Sequence, residues 1–261
     1  MGFGWGIFGA SFATVLAQLI AFLLCLRSLR RLPFVQLTKA DWKTDPAILL
    51  HLCRLGIPTG LQMSMITLGG MVLQSVLNGF GVVFVAGYTA ANKLYGILES
   101  ASVAFGYAMT AYMGQNRGAR IDAGIRAVLA LSAGFTAAIV TAMLLAGKPL
   151  LGLFLSTEEA GAADALAVAH RYLMVLMAFL LALFVLQAYR SSLQGLGEMT
   201  VPTLSGFAEM LMRMGAALVL PAFIGQSGVF FAEGAAWVCA AALNLVWYYM
   251  RIGKIKRDML K

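Results

Sequence analysis

Long apolar stretches alternate with short polar, glycine-rich or proline-marked breaks along most of this chain. Each stretch is close to the length of about 20 residues that a helix needs to cross a hydrocarbon core roughly 30 Å thick. Read out to their charged or Gly/Pro flanks, the stretches predict spans near 4–26, 56–79, 83–112, 124–147, 168–189, 201–224 and 228–250. The expected fold class is therefore all-α, a polytopic membrane protein of about seven transmembrane helices.

One long interruption divides them. Residues 28–55 begin as a basic, proline-containing linker, and Asp45 followed by Pro46 reads as the cap and first turn of a short helix carrying Ile48, Leu49, Leu52 and Leu55. That amphipathic piece is predicted to lie along the inner membrane face. Gly56 and Pro58 then open the second span, because proline lacks the amide that a helix interior uses. The expected organisation is a single transmembrane helix over 1–27, a cytoplasmic linker and amphipathic helix over 28–55, a six-helix lobe over 56–252 and a basic tail over 253–261.

Composition agrees with a lipid-facing surface: 61% of residues are hydrophobic and 11% charged. Nineteen Lys and Arg against eleven Asp and Glu give a formal charge of +8. In a soluble protein that excess would suggest nucleic acid. Here the positions decide otherwise. Arg27, Arg30, Arg31, Lys39, Lys43 and Arg54, then Arg117, Arg120 and Arg126, then Arg251, Lys254, Lys256, Arg257 and Lys261 all fall between spans on one side. On the other side Lys148 and Arg171 face Glu158, Glu159 and Asp164. The positive-inside rule makes the basic side cytoplasmic, with the N-terminus outside, the C-terminus inside and no nucleic-acid partner.

Little supports enzymatic chemistry. Cys25, Cys53 and Cys239 are too scattered for a metal or redox motif and read as small buried thiols. His51 and His170 stand alone, so neither a metal site nor a nucleophilic triad assembles from plausible partners. A GxGxxG match at Gly4, Gly6 and Gly9 has no preceding strand, and a membrane-length helix follows it, which excludes a dinucleotide turn. Its glycines instead continue through Ala13, Ala17 and Ala21 as a small-residue stripe for close helix packing, repeated by Gly134, Ala138 and Ala142.

Polar groups at membrane depth are more informative, since a charge near the bilayer centre costs several kcal/mol unless paired or hydrated. Glu99 lies midway along the third span, with Asn92 one heptad earlier and Lys93 beside it. Glu209 and Arg213 are spaced i,i+4 in the sixth span in the favourable order. A rise of about 1.5 Å per residue puts Glu99 and Arg213 at similar depth, where they can meet across the lobe. Gln62, Gln74, Asn78, Tyr88, Tyr95, Gln187 and Asn244 are expected to add polar lining. The Glu209–Arg213 pair is read as a helix-locking ion pair or a pathway element, and Glu99 is open to either role. Ligand pathway candidates are thus Glu99, Asn92, Lys93, Glu209, Arg213, Gln62 and Tyr95. Gln115, Asn116 and Arg117, and likewise Gln194, Gly195, Gly197 and Pro202 with Arg190 and Glu198 beside them, read as cytoplasmic turns.

Four segments in order carry a family resemblance: RLGIPTGLQ at the second span, VAGYTAANK and MGQNRGA at the two ends of the third, and RSSLQGLGEMTVPTLSGFAEMLMR across the fifth-to-sixth connection. Over residues 45–252 the chain resembles the C-terminal half of a multidrug and toxic compound extrusion (MATE) transporter. GIFGASFATVLAQ resembles that family's sixth helix. The resemblance implies two six-helix lobes, of which the N-terminal lobe is the missing partner. It implies small amphiphilic or cationic substrates, exchange for H⁺ or Na⁺ as a coupling cation, no other cofactor, no metal site and a plasma-membrane location. In one branch of the family, acids in two helices of this lobe bind the coupling cation. Those positions fall at Ile66 and near Leu183 here, both aliphatic, so that site does not carry over. The alternatives are a related flippase for lipid-linked saccharides, which implies a more cationic cavity with Lys93 and Arg213 as candidates, or a non-transporting half-transporter remnant.

Overall fold

The computed structural model describes residues 6–31, 43, 45–116, 120–155 and 161–259. Helices run through almost all of them: α1 (Gly6–Arg30), α2 (Pro46–Asn78), α3 (Val82–Gln115), α4 (Ile121–Gly152), α5 (Ala162–Gly195), α6 (Thr200–Ile224) and α7 (Phe231–Met259), with a 3₁₀ turn at Gln226–Phe230 leading into α7. Six of the seven are long and apolar enough to cross a membrane by themselves; α3 is as long, but the polar residues along it keep it outside that set. Gly4, Lys39, Arg117, Glu158 and Glu159 lie outside the described residues, as does most of the 28–45 linker.

The chain divides into two units, Met1–Leu52 and Cys53–Lys261. The first holds α1 and the start of α2. Asp45 caps α2 as its sequence predicts, its Oδ1 accepting from the Ala47 amide at 2.8 Å, with Pro46 in the first helical position where a missing N–H costs nothing. The expected break before the second span is absent. A single helix runs from Pro46 to Asn78 straight through Gly56 and Pro58. An internal proline leaves one carbonyl without its i+4 amide, a loss the rest of a long helix tolerates. The separate amphipathic helix on the membrane face is replaced by the first turns of α2.

In the second unit α5 is central. Its buried positions form one broad face from Ala165 through Tyr172, Leu176, Leu180 and Phe184, and from Ala188 to Leu193 they cover all sides of the helix, the pattern of an element that neighbours surround at that end. It packs against α3, α4 and α7, while α6 packs against α7. By contrast α4 buries one stripe, Ile125, Val128, Ser132, Thr136, Ile139 and Met143, and leaves Leu131, Phe135, Leu144 and Leu145 exposed. In lipid, burying an apolar side chain gains little over leaving it in hydrocarbon, so close packing and hydrogen bonding must hold these helices together. Tight seams supply part of that. A Cβ on Gly195 would stand 2.5 Å from the Thr110 carbonyl oxygen, and one on Gly106 would stand 2.7 Å from Ser191 Oγ, so α3 and α5 approach as only glycine allows.

The small-residue stripe in α4 is not such a seam. Gly134 has open space where a Cβ would stand, and it faces outward with Ala138 and Ala142. Cys25 and Cys53 are likewise exposed and Cys239 half-buried, so the buried-thiol reading fails: an apolar neighbourhood in sequence can mean lipid rather than core. The α5–α6 turn closes with the 6→1 and 5→2 bonds of a Schellman motif, Glu198 N to Leu193 O and Gly197 N to Gln194 O, both 2.9 Å. Gly197 takes the left-handed conformation this needs, at φ 82°. At the α3 terminus Asn116 Nδ2 donates to the Tyr112 carbonyl at 3.0 Å, the amide-satisfied exit its sequence predicts.

Candidate functional site

The side chains with most to lose from lipid converge on one cavity. It has a volume of about 490 Å³ and is walled by α2 (Gln62, Met63, Ile66), α3 (Asn92, Tyr95, Glu99, Val103, Tyr107, Thr110), α5 (Leu183, Leu186, Gln187, Arg190, Ser191, Gln194), α6 (Glu209, Arg213) and α7 (Glu233, Trp237). The α3 wall runs from Asn92 to Thr110, about 27 Å of helix at about 1.5 Å per residue, nearly the thickness of a hydrocarbon core. The cavity is therefore long relative to its volume, and its wall mixes polar side chains with apolar ones such as Ile66, Val103, Leu183 and Leu186.

Its electrostatic centre is a network of four buried charges on three helices. Glu209 on α6 takes Arg190 Nη2 of α5 at Oε2, 2.5 Å away, and Arg213 Nη2 of its own helix at Oε1, 3.0 Å away. Arg213 Nη2 also reaches Glu233 Oε2 on α7 at 2.8 Å, and its Nη1 donates to the Ile66 carbonyl of α2 at 2.9 Å. Side-chain exposure is 7% for Arg190, 4% for Glu209, 6% for Arg213 and 15% for Glu233. At that burial each charge survives because another neutralises it.

Next to the network, Gln194 Nε2 donates to Gln62 Oε1 at 3.2 Å, fixing an amide pair between α5 and α2. Gln62 Nε2, Arg190 Nε and Arg213 Nε are buried without a partner among the described residues, so the wall holds unused donors. Tyr95 stacks on Trp237 with centroids 5.5 Å apart, giving the cavity an aromatic flank. Glu99 stands apart. It is half-buried, with Tyr95 one turn before it, and among the described residues no cation is ion-paired with it.

Of the residues singled out in the sequence, Glu99, Asn92, Glu209, Arg213, Gln62 and Tyr95 line this cavity. Lys93 does not; it is exposed one position beyond Asn92. Glu99 and Arg213 share the cavity, but the carboxylates Arg213 holds are Glu209 and Glu233. The remaining polar positions divide. Gln187 lines the cavity, whereas Gln74 and Asn78 are exposed and bond each other at 3.0 Å. Tyr88 is buried against Tyr172, ring centroids 4.4 Å apart and hydroxyls 3.1 Å apart, and Asn244 is buried with Nδ2 on the Ala240 carbonyl.

Sequence reading missed Arg190 and Glu233. Both stand near helix ends, where a charge reads as an interfacial flank. The 3₁₀ turn before α7, with Gly228, Val229 and Phe230 buried, carries the start of α7 inward and takes Glu233 with it. Ile66 and Leu183, the aliphatic positions marked by the resemblance, also lie in the cavity wall.

Buried, mutually neutralised charges around a long cavity inside an all-helical lobe define a multi-pass membrane protein that holds charged side chains at membrane depth. Residues 58–219 match the MatE family, and the chain belongs to it. Among curated relatives it is 31% identical to the probable multidrug resistance protein YpnP of Bacillus subtilis and 27% identical to the probable multidrug resistance protein YoeA of the same organism. In each case 97% of this chain and 56% of the relative are covered. A crystal structure of MATE in complex with MaL6 superposes with a TM-score of 0.86 at 22% identity, covering 97% of this chain and 58% of that one. An outward-facing MATE transporter of the MOP superfamily gives 0.85. The chain thus spans a little over half the length of the proteins it matches.

Proposed function

We propose that this chain provides one lobe of a two-lobed transporter exporting small amphiphilic cations across the plasma membrane in exchange for H⁺ or Na⁺. Its cavity forms half of the substrate path, and rocking against an N-terminal lobe alternates the exposure of that path. In this reading the N-terminus of the chain is outside and its C-terminus cytoplasmic, an orientation the basic loops support.

The observation that carries this reading is the charge balance of the cavity: two guanidinium groups against three carboxylates, one negative charge in excess, beside the Tyr95–Trp237 pair. Excess carboxylate with an aromatic face suits an organic cation. A flippase for lipid-linked saccharides carries anionic headgroups and calls for the opposite balance, and Lys93, a cation named for that role, lies outside the cavity.

Everted vesicles from an efflux-deficient host expressing this chain with its N-terminal lobe test the proposal. A cationic dye should accumulate when the gradient is energised and leak out when a protonophore and a sodium ionophore collapse it. Gradient-independent dye distribution, or selective movement of anionic lipid, would reject it.

A further inference from the structure

We infer that Glu99 is the group at which a proton and a cationic substrate compete, so that the coupling ion acting in this lobe is the proton. This rests on the efflux function proposed above.

Charge by charge, the network around Glu99 is already closed. Facing it are Arg190 from α5, Glu209 and Arg213 from α6, Glu233 from α7, and Tyr95 and Tyr107 from its own helix; α2 contributes Gln62, Met63 and Ile66, none of them titratable. Arg190 is committed to Glu209, and Arg213 to Glu209, Glu233 and the Ile66 carbonyl. The two guanidinium groups thus neutralise two carboxylates and leave Glu99 over. A carboxylate at membrane depth that has the Tyr95 hydroxyl beside it but no paired cation is costly until something positive joins it.

Position adds a second argument. Glu99, Val103 and Tyr107 line both the polar cavity and a shallower one of about 400 Å³ on the outer flank of α3, whose other walls are Gly96, Ser100 and Ala104. An amphiphilic cation can rest its apolar body on that flank and place its charge at Glu99, while the polar cavity behind delivers water and protons to the same carboxylate. The two hollows share Glu99, Val103 and Tyr107, so both lead to the same carboxylate. A proton converts the carboxylate to a neutral acid, and a monovalent cation neutralises the carboxylate by pairing. Exchanging one for the other leaves the charge of the lobe unchanged.

Ligand count selects between the candidate ions. A hard metal cation demands several oxygen ligands together. Glu209 and Glu233 are engaged by arginine, so Glu99 is the one cavity carboxylate without a paired cation, and the other oxygens of the wall, such as those of Asn92 and Gln187, belong to uncharged side chains that compensate a metal ion's charge poorly. A proton needs one.

The test uses the complete two-lobed transporter, with tetraphenylphosphonium as probe and sodium exchanged for choline. Wild-type affinity should fall about tenfold per pH unit on the acid side, the slope of a single competing proton, with no response to sodium. In a weakly buffered sample, binding should release about one proton per probe in that range. Glu99→Gln should bind weakly and without pH dependence, and Glu99→Asp should keep the slope. A slope or proton release that survives in Glu99→Gln, or sodium displacing the probe at fixed pH, overturns the inference while leaving the efflux function standing. Should Glu99→Gln not fold, wild-type binding without proton release has the same force. No probe binding by wild type at any pH overturns both.

Discussion

Arg213 carries more of the site than its neighbours, because one guanidinium holds two carboxylates and a backbone carbonyl on three helices. Its i,i+4 partner Glu209 is legible from spacing alone. Glu233 and Arg190 are not, since their contact with the pair depends on how α5 and α7 pack, which no local pattern encodes. That difference changes what a rescue experiment should do. Removing Arg213 leaves Glu209 with Arg190 but strands Glu233, so Arg213→Met should cost about 3–5 kcal/mol, the usual result of breaking a buried pair. Neutralising the stranded group, in Arg213→Met with Glu233→Gln, should recover most of it. Arg213→Met with Glu209→Gln, the rescue that sequence alone would choose, should not, because it also frees Arg190. Thermal unfolding of the detergent-solubilised variants decides the order, and a better rescue by Glu209→Gln would mean that Glu233 is not held as the structure has it.

Between helices, glycines divide into those that permit an approach and those that face away, and sequence spacing does not tell them apart. The stripe of Gly134, Ala138 and Ala142 has the four-residue period of a packing seam yet faces outward, whereas Gly195, at the end of α5, abuts the α3 backbone. What the pattern lacks is the identity of the facing helix. Likewise Pro58 reads as a helix boundary, although α2 passes through it, because a long apolar helix in a bilayer retains its other backbone bonds whatever one proline removes. Number, order and approximate length of the helices were legible because long apolar stretches between polar, Gly or Pro breaks mark them, even α3, whose polar residues lower its hydropathy. The same one-methyl change should therefore have opposite effects at two sites. Gly134→Ala, with open space around its Cβ, should be neutral or stabilise by up to about 1 kcal/mol through helix propensity. Gly195→Ala, whose Cβ would stand 2.5 Å from a backbone oxygen, should destabilise by about 1–3 kcal/mol. Equal melting temperatures for the two variants would show that the α3–α5 seam is looser than described.

At the scale of the whole molecule the unequal distribution of basic residues predicts an orientation with the basic loops cytoplasmic. In a background without native cysteines, single cysteines at Lys43, Arg120 and Lys256 should be shielded from an impermeant thiol reagent added outside, and one at Glu159 should react. Labelling of Lys256 and Glu159 from the same side would overturn the helix count. The cavity bears on a further expectation. It lies within one lobe, and the chain spans 56% of the length of its multidrug-resistance relatives. Alternating access needs a second rigid body against which this one can rock, closing the cavity first to one side and then to the other. Under the proposed function, a lobe without that body has nothing to seal the path, and a gradient has no conformational cycle to drive. The 261-residue chain expressed by itself in an efflux-deficient host should insert into the membrane yet leave resistance to cationic dyes unchanged, whereas co-expression with an N-terminal lobe should raise it. Gradient-driven export by the purified chain in liposomes would overturn this expectation and identify a second copy of the chain as the missing wall.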